Sequence, residues 1–306
     1  MNKARWTKEI LFCICLALLL AGCGGQKQTE AGSKPVQQEK QGSSDTEPAS
    51  GEDQTDPWEL EYVDAYGEHF TAVIDPDLKM HDYDWSKLVR VGESEISYEG
   101  DARYTIRKGV DVAVYQGDID WKALKEAGFE FAFIRIAARA YGEKGQLLED
   151  QAFEQNITGA QAAGLDVGVY FFSQAVSEEE ALEEAQMTIR MLKGHELQLP
   201  VVFDPETIRD DEARTDDVSG KQFTDNAVAF CEQIKSAGYE PMIYSNMVWE
   251  DQFFEMERLQ NYPFWYADYE KAPQTPYDFR FWQYTEKGEA AGVNGTVDLD
   301  VEFVRN

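Results

Sequence analysis

The apolar run Pro200-Val201-Val202-Phe203 stops at Asp204, and a second carboxylate, Glu206, follows after a single proline. On a strand, the side-chain period of two points Asp204 and Glu206 to one face, with Cα atoms roughly 6.5–7 Å apart. Two carboxyl groups so placed suit glycoside hydrolysis, in which one protonates the leaving oxygen while the other stabilises or attacks the sugar cation. Carboxyl spacings of about 5–5.5 Å go with retention and about 6.5–9.5 Å with inversion, a difference that Cα positions do not resolve. A partly desolvated Glu206 beside an ionised Asp204 would keep its proton near neutrality. The plain alternative is an acidic turn, since Asp-Pro is common where strands stop. Further acids lie in similar runs: Asp111 in GVDVAVY, Asp268 in FWYADY and Asp298 in TVDLDVEF. Tyr115, Tyr170, Phe172, Tyr244, Trp265, Tyr269, Trp282 and Tyr284 share these runs or their ends. Such aromatics can stack on sugar rings and offer polar handles, although ordinary core packing uses the same residues.

The elements that must hold these groups follow a rhythm from Lys108 onward. Strand-like runs at 109–115, 131–137, 166–173, 200–206 and 240–246 alternate with helix-length segments at 118–128, 149–164, 177–194 and 219–238. Ala127-Gly128, Ala163-Gly164 and Ala237-Gly238 end such segments, as helix C-caps do. Near-continuous apolar strands between helices predict an α/β fold with a parallel sheet covered by helices. Beyond 246 the rhythm shortens to a possible helix at 247–260 and strands at 264–269, 280–286 and 296–303. Eight strands suit a closed, TIM-like barrel whose last part lacks outer helices; an open doubly wound sheet is the alternative. In such a barrel reactive groups gather at the C-terminal strand ends; Asp204 and Glu206 end the fourth strand, Asp111 and Asp268 lie near the ends of theirs, and Asp298 lies within the eighth.

The N-terminal third reads differently. Lys3, Arg5 and Lys8 precede a short apolar region from Ile10 to Leu20, and Leu20-Ala21-Gly22-Cys23 resembles a bacterial lipobox. The apolar stretch is short for a membrane span of about 20 residues, so a cleaved lipoprotein signal peptide over 1–22 is expected rather than an uncleaved anchor. Cys23 would then carry lipid and hold the chain on the outer face of the bacterial cell membrane. Residues 23–56 are rich in Gln, Ser, Glu, Thr, Gly and Lys and read as a disordered linker. Segment 57–105, with a hairpin around Gly67, is too short to stand alone and reads as an extension packed on a domain at 106–306. With 58 acidic against 28 basic residues, the net charge of −30 repels nucleic acid and anionic lipid and favours a neutral substrate. Cys231, the thiol left after signal removal and lipidation, is expected in a helix core. A monomer is expected.

In this order, GVDVAVYQGDIDW, FAFIRIA, AGLDVGVYFFS, PVVFDPE, MIYSN, FWYADY and FWQYTEKGEAAGVNGTVDLDVEF resemble glycoside hydrolase family 25, the lysozyme (muramidase) family. The likeness runs from about Gly109 to Phe303. It implies a (β/α)5(β)3 barrel, in agreement with the strand count. It also implies hydrolysis of the β-1,4 bond between N-acetylmuramic acid and N-acetylglucosamine in peptidoglycan glycan strands. By this resemblance Glu206 is the general acid. Asp204 is its partner, orienting a substrate N-acetyl group as internal nucleophile or acting directly. Asp111 and Asp298 are further acids of the site, and Tyr170 and Trp282-Gln283-Tyr284 lie near the groove. The chain departs from the family in Ala113, Val114 and Tyr115, where Ser and His are frequent, and in Pro205 between the acids.

Two other readings stay open: a catalytically weakened peptidoglycan- or glycan-binding lipoprotein, and a glycosidase of another polysaccharide. His69, His81 and His195 lack metal-ligand spacing, and no metal, cofactor or phosphate-loop motif is found. The acidic stretch RDDEARTDD (209–217) is expected as a solvated loop beside the mouth of the site.

Overall fold

The computed structural model describes residues 58–306; the signal peptide, Cys23 and the linker expected before them lie outside these residues. Two hairpins come first. Strands β1 (Glu59–Val63) and β2 (His69–Val73) pair antiparallel, as do β3 (Leu88–Val91) and β4 (Glu95–Tyr98). Gly67 takes φ +82° in the β1–β2 turn, a conformation open to glycine without penalty.

The barrel begins with β5 (Tyr104–Val112), followed by α1 (Trp121–Glu126), β6 (Phe131–Arg139), a short β7 (Leu147–Glu149) and α2 (Phe153–Ala162). It continues through β8 (Asp166–Ser173), α3 (Glu178–Met191), β9 (Val201–Pro205), α4 (Gly220–Ser236) and β10 (Pro241–Ser245). A π-helical turn (Trp249–Phe253) and α5 (Met256–Leu259) precede β11 (Phe264–Ala267), β12 (Phe281–Gly288) and β13 (Val297–Arg305). The strand order β5-β13-β12-β11-β10-β9-β8-β6 closes by pairing β5 with β6, and β7 adds to the outer edge of β6. The alternative of an open sheet is thereby excluded. Within the closed ring every pairing is parallel except those of β13, which runs antiparallel to both β12 and β5. A loop of a few residues between β12 and β13 permits only a reversal, because a parallel return needs a long crossover.

Period-two alternation sorts the strand residues into two cores. Phe131, Phe133, Tyr170, Val202, Met242, Tyr244, Trp265 and Phe281 fill the barrel. Gly109 and Gly168 make room, since a Cβ on either would overlap the rings of Phe131 and Phe133. The opposite faces pack against helices, as Phe171 and Phe203 do against Phe230. No helix follows β11 or β12 among the described residues, and here the N-terminal segment supplies the cover. Trp85 and Tyr83 pack on Phe279 and Phe303, Trp85 also meets Trp282, and the Tyr284 hydroxyl donates to the carbonyl of Ser94 at 2.9 Å.

Candidate active site

The side chains of Asp111, Asp204, Glu206 and Asp298 come together where β5 and β9 end and β13 begins. Registers explain the convergence. Asp298 pairs with Asp111 across β13–β5, and Phe172 with Asp204 across β8–β9. Asp298 reaches this end because its strand is reversed, so that it sits at the start of β13. Pro205 costs β9 nothing. The pairing to β10 stops at Phe203, so no ladder bond on that side loses a donor.

Asp111 is the centre of the cluster. Gln283 Nε2 donates to Asp111 Oδ2 at 2.8 Å, while Gln283 Oε1 accepts from the hydroxyls of Tyr244 at 3.1 Å and Tyr269 at 2.9 Å. Asp298 stands opposite Asp111 in the β13–β5 register, and Asp300 lies two residues further along the same face. Trp265 Nε1 donates to Asp300 Oδ1 at 2.8 Å. Burial drives Asp111, Asp204, Asp298 and Asp300 well above the usual carboxylate range; for Asp111 the neighbouring Asp300 adds to it, and for Asp204 the neighbouring Glu206 does.

Glu206 is half-buried at the rim. Desolvation pushes its pKa up to about 7, opposed by Arg135 and reinforced by Glu286. Its backbone carbonyl accepts from Gln174 Nε2 at 2.6 Å, and Gln174 is held in turn by the Thr215 hydroxyl at 2.9 Å. Arg135 places positive charge near the acids. Asp150 holds it through Nε at 2.8 Å and a second nitrogen at 2.7 Å, and the half-exposed Tyr115 ring lies 4.8 Å from its guanidinium. Asp204 Oδ1 and Asp300 Oδ2 are buried without a hydrogen-bond partner among the described residues.

Of the expected sugar-binding residues, Tyr170, Tyr244 and Gln283 face the acids, and Tyr115 and Phe172 stand at the rim. Four others do not serve as expected. Trp282 and Tyr284 are buried on the outer wall beneath the extension, with Arg90 over both rings at 5.6 and 5.3 Å. They flank the inward Gln283, and alternation sends both outward. Trp265 is 1% exposed inside the barrel and serves as floor under Asp300. Asp268 borders the site, but its carboxylate is committed to its own loop. It accepts from Tyr266 at 3.0 Å and from the backbone of Glu270 and Gln274 at 2.9 Å each. Asp300, Arg135 and Glu286 were not foreseen. Asp300 carried a readable signal, two residues from Asp298 and so on its face; Arg135 carried another, a lone charge inside FAFIRIA.

Among the described residues no group of His, Cys, Asp and Glu is arranged to hold a metal ion, and no helix is long and apolar enough to cross a membrane. Buried acids with retained protons, one of them at a rim, can donate a proton to a glycosidic oxygen and face the positive charge that then develops.

Comparison with known proteins agrees. Residues 110–293 match the family model of Glycosyl hydrolases family 25. The chain is 30% identical over 212 residues to the uncharacterized protein YegX of Escherichia coli strain K12, covering 65% of this chain and 70% of that protein. It is 29% identical over 203 residues to Lysozyme M1 of Streptomyces globisporus, covering 62% of this chain and 66% of that protein. A family 25 glycosyl hydrolase structure from Bacillus anthracis aligns with a TM-score of 0.55 and 28% identity, over 69% of this chain and 94% of that one. The barrel, its acids and these matches together establish that the chain belongs to glycosyl hydrolase family 25 and is a glycoside hydrolase of the lysozyme type.

Proposed function

We propose that the protein is a muramidase that cleaves the β-1,4 bond between N-acetylmuramic acid and N-acetylglucosamine in peptidoglycan while tethered at the cell surface. The observation that carries this reading is the closeness of half-buried Glu206, its pKa raised to about 7, to buried Asp204 at the end of β9. Glu206 protonates the leaving oxygen. The unpartnered Asp204 Oδ1 is placed to accept from the N–H of a substrate N-acetyl group, turning its carbonyl oxygen toward the anomeric carbon. Asp111 and Asp298 oppose the build-up of positive charge least when ionised, and the growing sugar cation favours their ionisation. Tyr170, Tyr244 and Gln283 line the barrel floor against the ring, with Tyr115 and Phe172 at the rim.

Incubating the full chain and its Glu206→Gln variant with purified peptidoglycan tests the reading. New N-acetylmuramic acid reducing ends are expected from the parent, with a loss of at least 100-fold in the variant. Sedimentation of both proteins with the wall and no new ends would replace it with the binding-module reading. For the tether, Cys23→Ser is expected to move the protein from the membrane fraction to the medium; an unchanged membrane fraction refutes lipidation at Cys23.

A further inference from the structure

Next to the acids, a cleft of about 200 Å³ runs from Tyr244 and Tyr269 to the tip of the β1–β2 hairpin. Thr207, adjacent to Glu206, lines it, as do Asn246 and Trp249, and its outer wall is the turn 63–67 with Arg209. The hairpin lies outside the residues matched by the family model.

A two-stranded hairpin is marginal alone, yet this one is pinned at several points. Asp64 Oδ1 accepts from the backbone of Tyr66 at 2.9 Å and Glu68 at 2.8 Å, closing the turn. Gln274 bonds Val63 in both directions, at 2.9 and 2.8 Å. The Tyr62 hydroxyl donates to Asp251 at 2.9 Å. Arg209 donates to Asp64 at 2.9 Å and Glu68 at 3.2 Å, and its guanidinium lies 3.8 Å from the centre of the Tyr66 ring. The result is a large aromatic, 68% exposed, held rigidly at the lip of a polar cleft. The turn closed by Asp64 and the guanidinium of Arg209 against the ring together fix the position of Tyr66.

The lining also limits the ligand. Asp64, Asp268 and Glu270 repel anions, and Arg209, the cation lining the cleft, already bonds two carboxylates. Neutral polar groups and aromatic faces remain, in a volume below the roughly 300–1,000 Å³ of drug-sized pockets. We propose that the cleft is a sugar subsite completed by the N-terminal extension, with Tyr66 as the stacking platform for one uncharged N-acetylated ring of the glycan. This rests on the muramidase reading for the identity of the strand, and it assigns the extension a role in substrate recognition.

Calorimetric titration of the full-length Glu206→Gln protein with a soluble tetrasaccharide of alternating N-acetylglucosamine and N-acetylmuramic acid tests it. Adding Tyr66→Ala is expected to raise Kd about tenfold, while Tyr66→Phe, which keeps the ring, leaves it near the Glu206→Gln value. Arg209→Ala, which frees the Tyr66 ring, is expected to raise Kd as well. An unchanged Kd in Tyr66→Ala, an equal loss in Tyr66→Phe, or no binding by the Glu206→Gln protein overturns the subsite. Because the titration does not depend on turnover, its outcome separates from the hydrolysis assay. Binding that depends on Tyr66 without hydrolysis refutes the muramidase reading alone, and hydrolysis without that dependence refutes the subsite alone.

Discussion

Glu206 can donate a proton only while it holds one, and burial keeps its pKa near 7. The rate is therefore expected to fall as pH rises through about 7, where the acid form is lost. Arg135 lowers the pKa of both Glu206 and Asp204, so Arg135→Gln is expected to move the alkaline limb of kcat/KM to higher pH. A limb that stays in place would mean that another group titrates. At this scale the sequence shows the pair at 204 and 206 plainly, because the apolar run stops on them, although β9 itself ends at Pro205 and Glu206 stands just beyond it. Arg135 and Asp300 are harder to see. Both lie inside apolar runs, and only the closed barrel reveals that their side of the strand faces the acids rather than the helices.

For a strand buried on both faces, period two shows which residues travel together but not which set faces inward. RFWQYTE illustrates the ambiguity: read by composition its aromatics belong to the groove, yet Gln283 points in and Trp282 and Tyr284 point out. The inward set is legible only once β12 is placed in register with β13, where Gln283 meets Asp300. Neighbouring substitutions should then part company. Trp282→Ala is expected to cost ~3–5 kcal/mol of stability with little change in KM below the melting transition. Gln283→Ala is expected to lower kcat, because the bridge from Asp111 to Tyr244 and Tyr269 is lost. Thermal melts and steady-state kinetics of the two variants check this, and a kinetic defect in Trp282→Ala with an unchanged melting temperature would contradict it. Strand count, by contrast, follows from the spacing of apolar runs and capping glycines, whereas closure is settled by the pairing of β5 with β6. The reversal of β13 follows from the shortness of the loop before it.

Over the whole molecule, charge and burial act together. The chain carries a net charge of −30, and buried Glu184 and Glu250 and half-buried Glu206 have pKa values raised to about 7. A carboxyl whose folded-state pKa is raised contributes its full stabilisation below its unfolded value, and that contribution is lost as pH rises through the folded one. For these residues the window runs from about 4.5 to about 7. The raised pKa values of Asp111, Asp204, Asp298 and Asp300 act in the same direction. The protein is therefore expected to melt at a higher temperature at pH 5 than at pH 8, as followed by scanning calorimetry. A higher melting temperature at pH 8 would contradict the assignment. Asp101, lowered to about 2, loses its contribution only below that window. The length of the N-terminal segment points to packing on the barrel, but which side it covers is not legible in the sequence, since its aromatics carry no period that names their partner.

The pairing of β13 with β5 has a further consequence for the life of the chain. The first and last strands of the barrel are neighbours, and the last brings Asp298 and Asp300 to the first's Asp111. During synthesis every earlier strand can form and pair in turn, but the ring stays open until β13 emerges. Until β13 has paired, Asp298 and Asp300 are not beside Asp111, and the cluster of acids is incomplete.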